Sequence, residues 1–353
     1  MKPLKFAIVG CGRISKRHCD LLSNNEISGA KLVAVCDHNE EKAKLRSSQY
    51  GVNFYTSLDV MMKTENIDVV SVLTESGNHA KNCIELAKYG AHIVVEKPMA
   101  LRLNDAKEMI SACEENNVRL FIVKQNRFNL PVLALREAID SGRFGKMIMG
   151  TVRVRWCRDQ NYYDESDWRG TWGMDGGVLT NQASHHIDLL EWMLGEVESV
   201  YAKGGTYLAN IETEDTAVVI VKFKSGAIGV IEATTAMRPK DLEGSLSILG
   251  EFGAVEIGGF AVNEMKHWNF VNENKNDENI RKNCSTNPPN VYGFGHKEYY
   301  DHVVDCLINN KPQLVNGYEG LKSLELINAI YESIETSREV KLGSKIYNSK
   351  LGK

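Results

Sequence analysis

Phe6-Ala7-Ile8-Val9-Gly10-Cys11-Gly12-Arg13-Ile14-Ser15 is the stretch that decides the fold. Phe6 to Val9 is an apolar run of the kind that forms a strand buried on both faces of a parallel sheet. The glycines end it in a turn tight enough to admit a phosphate. Gly10 permits the sharp exit from the strand. Gly12 lets the backbone approach a pyrophosphate, which then sits on the N-terminus of the following helix. Ser15 stands where such a fingerprint usually has its third glycine, and a small side chain there still allows helix and strand to pack closely. Asp37 ends the second strand, roughly twenty-odd residues on, placed to accept hydrogen bonds from a ribose diol and to repel a 2′-phosphate. His38 beside it offers only a weak positive charge. The dinucleotide expected is therefore NAD rather than NADP.

A second short segment, Glu96-Lys97-Pro98, follows another buried run, Ile93 to Val95. In an open parallel sheet, ligands gather at the carboxyl ends of the strands, and both segments fall there. Pro98 restricts Lys97 to extended geometry, and Glu96 supplies an adjacent countercharge. Next to an oxidised nicotinamide the Lys97 ammonium is disfavoured by the positive ring. It then suits a hydroxyl that must lose its proton as hydride leaves the carbon.

The rest of the first half alternates strand and helix. Further strands are read at Leu32 to Cys36, Val69 to Leu73 and Leu120 to Val123, and helices at Lys16 to Leu22, Glu40 to Tyr50, His79 to Tyr89 and Leu103 to Asn116. Gly51 and Gly90 end two of them, as helix C-termini prefer. This is the rhythm of a doubly wound α/β fold. It changes after about residue 125. Pro131 opens a helix ending near Gly142. Ala217 to Phe223 and Ala227 to Ala233 read as one hairpin, and Leu246 to Leu249 with Ala254 to Ile257 as another. Val219, Val221 and Phe223 share one face and Lys222 and Lys224 the other, so an antiparallel sheet with one packed and one free face is expected. Asn272 to Pro289 is polar and reads as a mobile loop; from Gly295 the chain is helical again.

Bulk properties agree. At 353 residues the chain suits two domains, and 43% hydrophobic with 25% charged residues is a globular composition. The net charge of −4 gives no reason to expect a nucleic-acid partner. No apolar run reaches the roughly 18 residues of a membrane span, and the N-terminus leads into a strand with no signal peptide read before it. The eight cysteines include no Cys-x-x-Cys pair. They read as reduced thiols in a cytoplasmic protein, with Cys11, Cys36 and Cys83 in the core and no metal site expected.

A second chemical constellation lies in Gly176-Gly177-Val178-Leu179-Thr180-Asn181-Gln182-Ala183-Ser184-His185-His186-Ile187-Asp188. Taken as one helix, it puts Asn181, His185 and Asp188 on one face. Ala183, Ile187, Leu190 and Leu194 fall on the opposite face, toward a sheet. The glycine pair lets the chain approach a ligand. His185 is the better general base, since free imidazole titrates near about 6.5; His186 points off that face and reads as structural. A solvated polar face is the alternative.

The glycine turn, Glu96-Lys97-Pro98 and the double-glycine segment ending in His185, in this order and spacing, resemble the Gfo/Idh/MocA oxidoreductases over essentially the whole chain. The resemblance implies an N-terminal Rossmann domain at residues 1–124. It implies a C-terminal α+β substrate and oligomerisation domain at 125–353, built on an open, mainly antiparallel sheet, whose last helices pack back on the first domain. Family enzymes oxidise a secondary sugar or cyclitol hydroxyl with NAD(P). Lys97 matches the family's active-site lysine and His185 its histidine. Carried over position by position, the cofactor would meet Gly10, Gly12, Arg13, Ile14, Asp37, Thr74, Ser76, His79, Glu96, Lys97, Gln125, Trp168 and Arg169. One departure matters: many members carry aspartate where this chain has Asn181, which cannot take a proton.

Val123-Lys124-Gln125-Asn126-Arg127-Phe128-Asn129, Trp168-Arg169-Gly170-Thr171-Trp172 and Asn181 to His185 are similar to one branch of that family. That branch oxidises the 3-hydroxyl of UDP-N-acetylglucosaminuronic acid. An aminotransferase then takes the 3-keto sugar toward diacetylated aminouronic acids of bacterial surface polysaccharide. This implies a nucleotide-sugar substrate held by Lys97, Lys124, Asn126, Arg127, Arg155, Tyr163, Arg169, Asn181, Gln182 and His185. A diphosphate and a carboxylate need such cations, and Arg binds both bidentately; Tyr162, Tyr163 and Trp172 are the rings that could cover uracil or sugar. For Arg153 and Arg155, ligand binding and ion pairing on the free sheet face stay equally open. The other functions left open are a dehydrogenase of an unactivated sugar or inositol, and a non-catalytic NAD and sugar sensor. A dimer or tetramer through the C-terminal sheet is expected.

Overall fold

The computed structural model describes residues 2–285, 294–343 and 347–353. The chain forms two compact units, Met1–Lys124 with His296–Leu321, and Gln125–Gly295 with Lys322–Lys353.

In chain order the first unit contains β1 (Leu4–Val9), α1 (Ser15–Ser23), β2 (Ala30–Cys36), α2 (Glu40–Tyr50), β3 (Asn53–Tyr55), α3 (Leu58–Thr64), β4 (Val69–Val72), α4 (His79–Ala87), β5 (His92–Val95), α5 (Leu103–Glu115) and β6 (Leu120–Ile122). The strands form one sheet in the order β3-β2-β1-β4-β5-β6, every pair parallel. Phe6, Ala7, Ile8 and Val9 are all buried, as are Val69 to Val72 and Ile93 to Val95. Apart from Ser71, these are the apolar runs of a sheet covered on both faces. The order reverses direction beside β1, so the β1 and β4 exits flank a crevice of the kind that takes a dinucleotide. The sequence reading lacks β3 and α3. β3 has three residues at the sheet edge, and α3 is a seven-residue helix capped by Ser57, whose hydroxyl accepts from Val60 N. Both are too short for a periodic signal.

The second unit contains α6 (Leu130–Asp140), β7 (Met147–Arg155), α7 (Gln160–Asp164), α8 (Ser184–Leu194), β8 (Val197–Gly205), β9 (Thr216–Phe223), β10 (Ile228–Thr234), β11 (Glu243–Gly250), β12 (Gly253–Gly258), β13 (Glu264–Phe270) and α9 (Asp277–Asn283). Helix α10 (Gly295–Ile308) follows and belongs, from His296, to the first unit, a return that the expected boundary at 125–353 did not include; then come α11 (Gly317–Thr336), which from Lys322 is in the second unit, and β14 (Val340–Lys341). Eight strands pair in the order β13-β12-β11-β7-β10-β9-β8-β14. Both expected hairpins are present. The sheet is not wholly antiparallel, because β7 and β10 run parallel at its centre. Side-chain alternation reports which face a residue takes, not the direction of its neighbour.

Val219, Val221 and Phe223 are fully buried, and α8 packs on that side of the sheet. A Cβ on Gly150 of β7 would lie 2.7 Å from a Leu194 methyl and 2.8 Å from a Leu190 methyl, so helix and strand meet there without a side chain between them. The polar segment beginning at Asn272 is not simply a loop. It contains α9, anchored by buried Asp277, which accepts from Arg143 Nη1 at 2.7 Å and from Trp268 Nε1 at 2.7 Å. Residues 286–289 of that segment lie outside the described residues.

Candidate active site

The glycine turn is built by β1, β2 and β4. Gly10 has φ +95°, and a Cβ there would sit 2.6 Å from the carbonyl carbon of Leu73, so only glycine fits against the β4 exit. At Gly12 a Cβ would meet nothing within 4 Å. That space is the room a phosphate group would take. Asp37, almost fully buried, accepts from Cys11 N through Oδ2 at 2.7 Å and from Asn39 N through Oδ1 at 2.8 Å. The carboxylate thus fixes the turn, and each oxygen keeps a lone pair for a ribose hydroxyl. Ser15 Oγ donates to Gly12 O at 2.6 Å, and Arg46 donates to both Ser15 Oγ and Gly12 O. Nothing in the sequence marked Arg46, which reaches the turn only because α2 folds back over it. Arg13 is exposed and Ile14 half-buried beside it. These residues fit a bound dinucleotide. We expect Asp37→Ala to lower NAD affinity and to shrink the NAD-over-NADP ratio, measured as two dissociation constants. An unchanged ratio would show that Asp37 does not face the ribose.

Around the β4 and β5 exits, Thr74, Ser76, His79, Glu96 and Lys97 come together. His79 Nδ1 lies 2.8 Å from Pro98 O and Nε2 lies 3.0 Å from Thr74 O. Burial pushes His79 toward its neutral form, in which one ring N–H serves one of these carbonyls. The ring thus lies between the Thr74 carbonyl and the segment carrying Lys97, bonded to one of the two. Glu96 Oε2 accepts from Lys97 N at 3.0 Å, and Oε1 lies 3.0 Å from His18 Nε2. His18 Nδ1 is 2.6 Å from the Tyr300 hydroxyl, which is 2.9 Å from Ser71 Oγ. Burial alone would raise the Glu96 carboxyl, but its neighbours His18 and His296 outweigh that and hold it well below the usual range. The ligand atoms of His18, Glu96 and His296 lie within 4.8 Å of one another, with His296 Nε2 3.8 Å from the same Glu96 Oε1 that meets His18.

In the second unit, α8 begins at Ser184, so Asn181 is not on the helix with His185 as the sequence reading had it. Residues 177–183 form a separate helical turn, with Asn181 N donating to Gly177 O at 3.0 Å and Gln182 N to Val178 O at 3.1 Å. The glycine pair approaches the chain's own atoms rather than open space. A Cβ on Gly176 would lie 2.5 Å from Thr180 Oγ1, and one on Gly177 2.2 Å from Glu214. Asn181 Nδ2 donates to buried Asp175 at 2.6 Å, and Asp175 also accepts from Gly170 N. An aspartate at 181 would bring two carboxylates into contact, which explains why this chain has Asn there.

Buried His185 meets Gln125, whose Nε2 is 3.0 Å from His185 Nε2. That amide donates to an unprotonated ring nitrogen. Its own Oε1 is buried without a hydrogen-bond partner. Rotated half a turn, it would accept from a protonated one. Gln125 can therefore serve both states of a base. His186 is fully buried, edge-on to Trp156 at 5.9 Å, and burial lowers its pKa to about 4. It is a core residue, as its position off the face implies.

Three expected substrate ligands are engaged elsewhere. Arg155 donates to Glu232 at 2.6 and 2.8 Å and to Glu243 at 2.8 Å, on the outward sheet face where Arg153 lies 4.0 Å from the same Glu232. Arg127 forms a two-point pair with Asp188 at 2.8 and 2.9 Å, both side chains nearly fully buried, and stacks on Trp192. Tyr163 is a core residue whose hydroxyl is 2.9 Å from Thr235 Oγ1. The hydroxyl of its neighbour Tyr162 accepts from Arg169 Nη1 at 2.7 Å and from Gln182 Nε2 at 3.4 Å. Arg169 lies over the Tyr162 and Trp168 rings at 4.5 and 5.0 Å. Arg169 Nε and Gln182 Oε1 are buried without hydrogen-bond partners, the sort of orphaned polar atoms a ligand satisfies. Lys124 and Asn126 are buried at the start of their segment. Removing one member of a buried ion pair strands the other, so Asp188→Ala should cost about 3–5 kcal/mol in denaturant unfolding; a loss below about 1 kcal/mol would mean water reaches Arg127.

Comparisons with known proteins fit this geometry. The chain covers 98% of its length against the WlbA dehydrogenase of Bordetella pertussis, solved in complex with NADH and UDP-GlcNAcA, at 44% identity and a TM-score of 0.93 over 99% of that chain. The WlbA dehydrogenase of Chromobacterium violaceum, solved with the same two molecules, matches at 43% identity and a TM-score of 0.92, covering 98% and 97% of the two chains. The myo-inositol 2-dehydrogenase of Thermotoga maritima is 27% identical over 96% of this chain and 98% of its own. Residues 4–124 match the oxidoreductase-family NAD-binding Rossmann fold, and residues 136–342 match that family's C-terminal alpha/beta domain. The glycine turn with Asp37 lies within the first match and His185 within the second, and the chain belongs to the Gfo/Idh/MocA oxidoreductase family.

Proposed function

We propose that this enzyme oxidises the 3-hydroxyl of UDP-N-acetylglucosaminuronic acid to the 3-keto sugar with NAD. The observation that carries the reading is the 43–44% identity, over 98% of the chain, to two dehydrogenases solved with NADH and UDP-GlcNAcA. The orphaned polar atoms of Arg169 and Gln182, beside Tyr162, support an anionic and polar ligand. NAD held by the Gly10–Gly12 turn and Asp37 would supply the acceptor for the hydride. On the protein side, His185 takes the hydroxyl proton while the C3–H electron pair leaves and the C–O bond becomes double. Lys97 hydrogen-bonds the reacting oxygen and aligns it. Arg169, Lys124, Asn126, Asn181 and Gln182 hold the diphosphate sugar.

On this reading the 3-keto product passes to an aminotransferase, toward the diacetylated aminouronic acids of a bacterial surface polysaccharide. The reaction runs in the cytoplasm, where eight free thiols stay reduced; no described helix is long and apolar enough to cross a membrane. The enzyme assembles as a homo-oligomer through the outward sheet face. Support comes from Tyr201, Val218, Ile220, Ile228 and Leu249, all exposed there, a patch of the kind that marks a protein contact.

The test is thermal stabilisation with NAD present. UDP-GlcNAcA at 100 times its dissociation constant should add about 2.7 kcal/mol, with free sugars and inositols adding far less. Equal stabilisation and comparable turnover of myo-inositol would replace this reading with that of an unactivated-cyclitol dehydrogenase. NAD binding without hydride transfer to any of them would indicate a sensor.

A further inference from the structure

We propose that Glu214 is a positioning residue that holds the 177–182 turn in shape and, through it, sets the placement of Asn181 and Gln182. The inference rests on the substrate role given to those two side chains above. Glu214 is 4% exposed and lies directly against the turn. Its Oε1 accepts from Leu179 N at 2.9 Å and from the Tyr331 hydroxyl at 3.0 Å. Tyr331, from α11, in turn accepts from Gly177 N at 3.0 Å and lies 2.8 Å from Thr180 Oγ1. One carboxyl and one phenol thus hold three successive parts of the turn. Gly177 is glycine because a Cβ would meet Glu214, so the contact is built into the sequence of the turn itself.

Glu214 Oε2 is buried with no hydrogen-bond partner. An ionised oxygen there carries a charge without compensation. The charged group facing it from the 170–176 segment is Asp175, of like sign, and the group from α11 is the neutral Tyr331 phenol. Burial first, and Asp175 with it, raise the Glu214 carboxyl to about 7 against the opposing hydrogen bonds. The neutral acid is therefore the form that fits. Above neutrality ionisation would place a second negative charge beside Asp175, the partner of Asn181, and disturb the turn.

A pKa raised in the folded state gives a contribution fully present below the unfolded carboxyl pKa and lost as pH rises through the folded one, from about 4.5 to about 7. Glu214→Gln keeps the accepting oxygen and cannot ionise. Relative to the unmodified enzyme, its melting temperature should rise progressively from about pH 4.5 to about pH 7 and keep a constant advantage above that. This arm needs no substrate, so it stands even if UDP-GlcNAcA is not turned over.

In turnover, the unmodified enzyme should show a fall in kcat/KM for the nucleotide sugar through neutrality that is absent in Glu214→Gln. Glu214→Ala and Tyr331→Phe should each raise KM for the sugar by about tenfold or more, with the NAD dissociation constant unchanged. A Glu214→Gln profile and melting curve that track the unmodified enzyme at every pH would overturn the proposal. So would an unchanged KM in a folded Glu214→Ala enzyme.

Discussion

His185→Ala should lower kcat by roughly 10²–10⁴-fold, the usual contribution of a general base, while NAD binds as before. Moving a hydride from a carbinol carbon requires the hydroxyl proton to leave at nearly the same time. His185 is buried at the start of α8, with Gln125 able to hydrogen-bond the ring in either protonation state. The acid limb of the kcat/KM profile, where imidazole must be unprotonated, should disappear in the variant. His185→Ala that keeps both rate and acid limb would remove the residue from the chemistry.

Lys97→Met should be comparably severe, for a different reason. Its main-chain N–H is fixed on Glu96, and the Pro98 carbonyl beside it lies 2.8 Å from His79 Nδ1, so the backbone that carries the ammonium is packed from two sides. Methionine preserves the stem and deletes the donor to the reacting oxygen. We expect kcat to fall by roughly 10²-fold or more while the acid limb remains. If instead that limb survives in His185→Ala and vanishes in Lys97→Met, the two roles are exchanged and Lys97 is the base.

The features legible in the sequence are those whose chemistry is local. A phosphate turn needs Gly10 and Gly12 in adjoining positions, and a buried strand needs an unbroken apolar run such as Phe6 to Val9. Contacts between distant segments left no local trace. Gln125 and His185 are sixty positions apart, and Glu214 meets Leu179 across thirty-five. Asp175 is near Asn181 in sequence, but their bond depends on a turn that precedes α8, and an i, i+4 count across that break placed Asn181 on the wrong element. The ion pairs of the arginines were hidden for a related reason. Arg155 and Arg127 have the charge a diphosphate needs, yet Glu232, Glu243 and Asp188 reach them only through sheet and helix packing.

The reaction proposed for this enzyme is the oxidation of one hydroxyl, the third, of one class of sugar. The most direct measurement uses UDP-GlcNAcA carrying deuterium at C3, with NAD as acceptor. Deuterium should appear on the reduced nicotinamide, turnover should show a primary isotope effect when chemistry limits the rate, and the sugar product should have lost two mass units relative to its protiated parent and carry a ketone at C3. Reduced cofactor that carries no deuterium, or a ketone formed at another carbon, would contradict it.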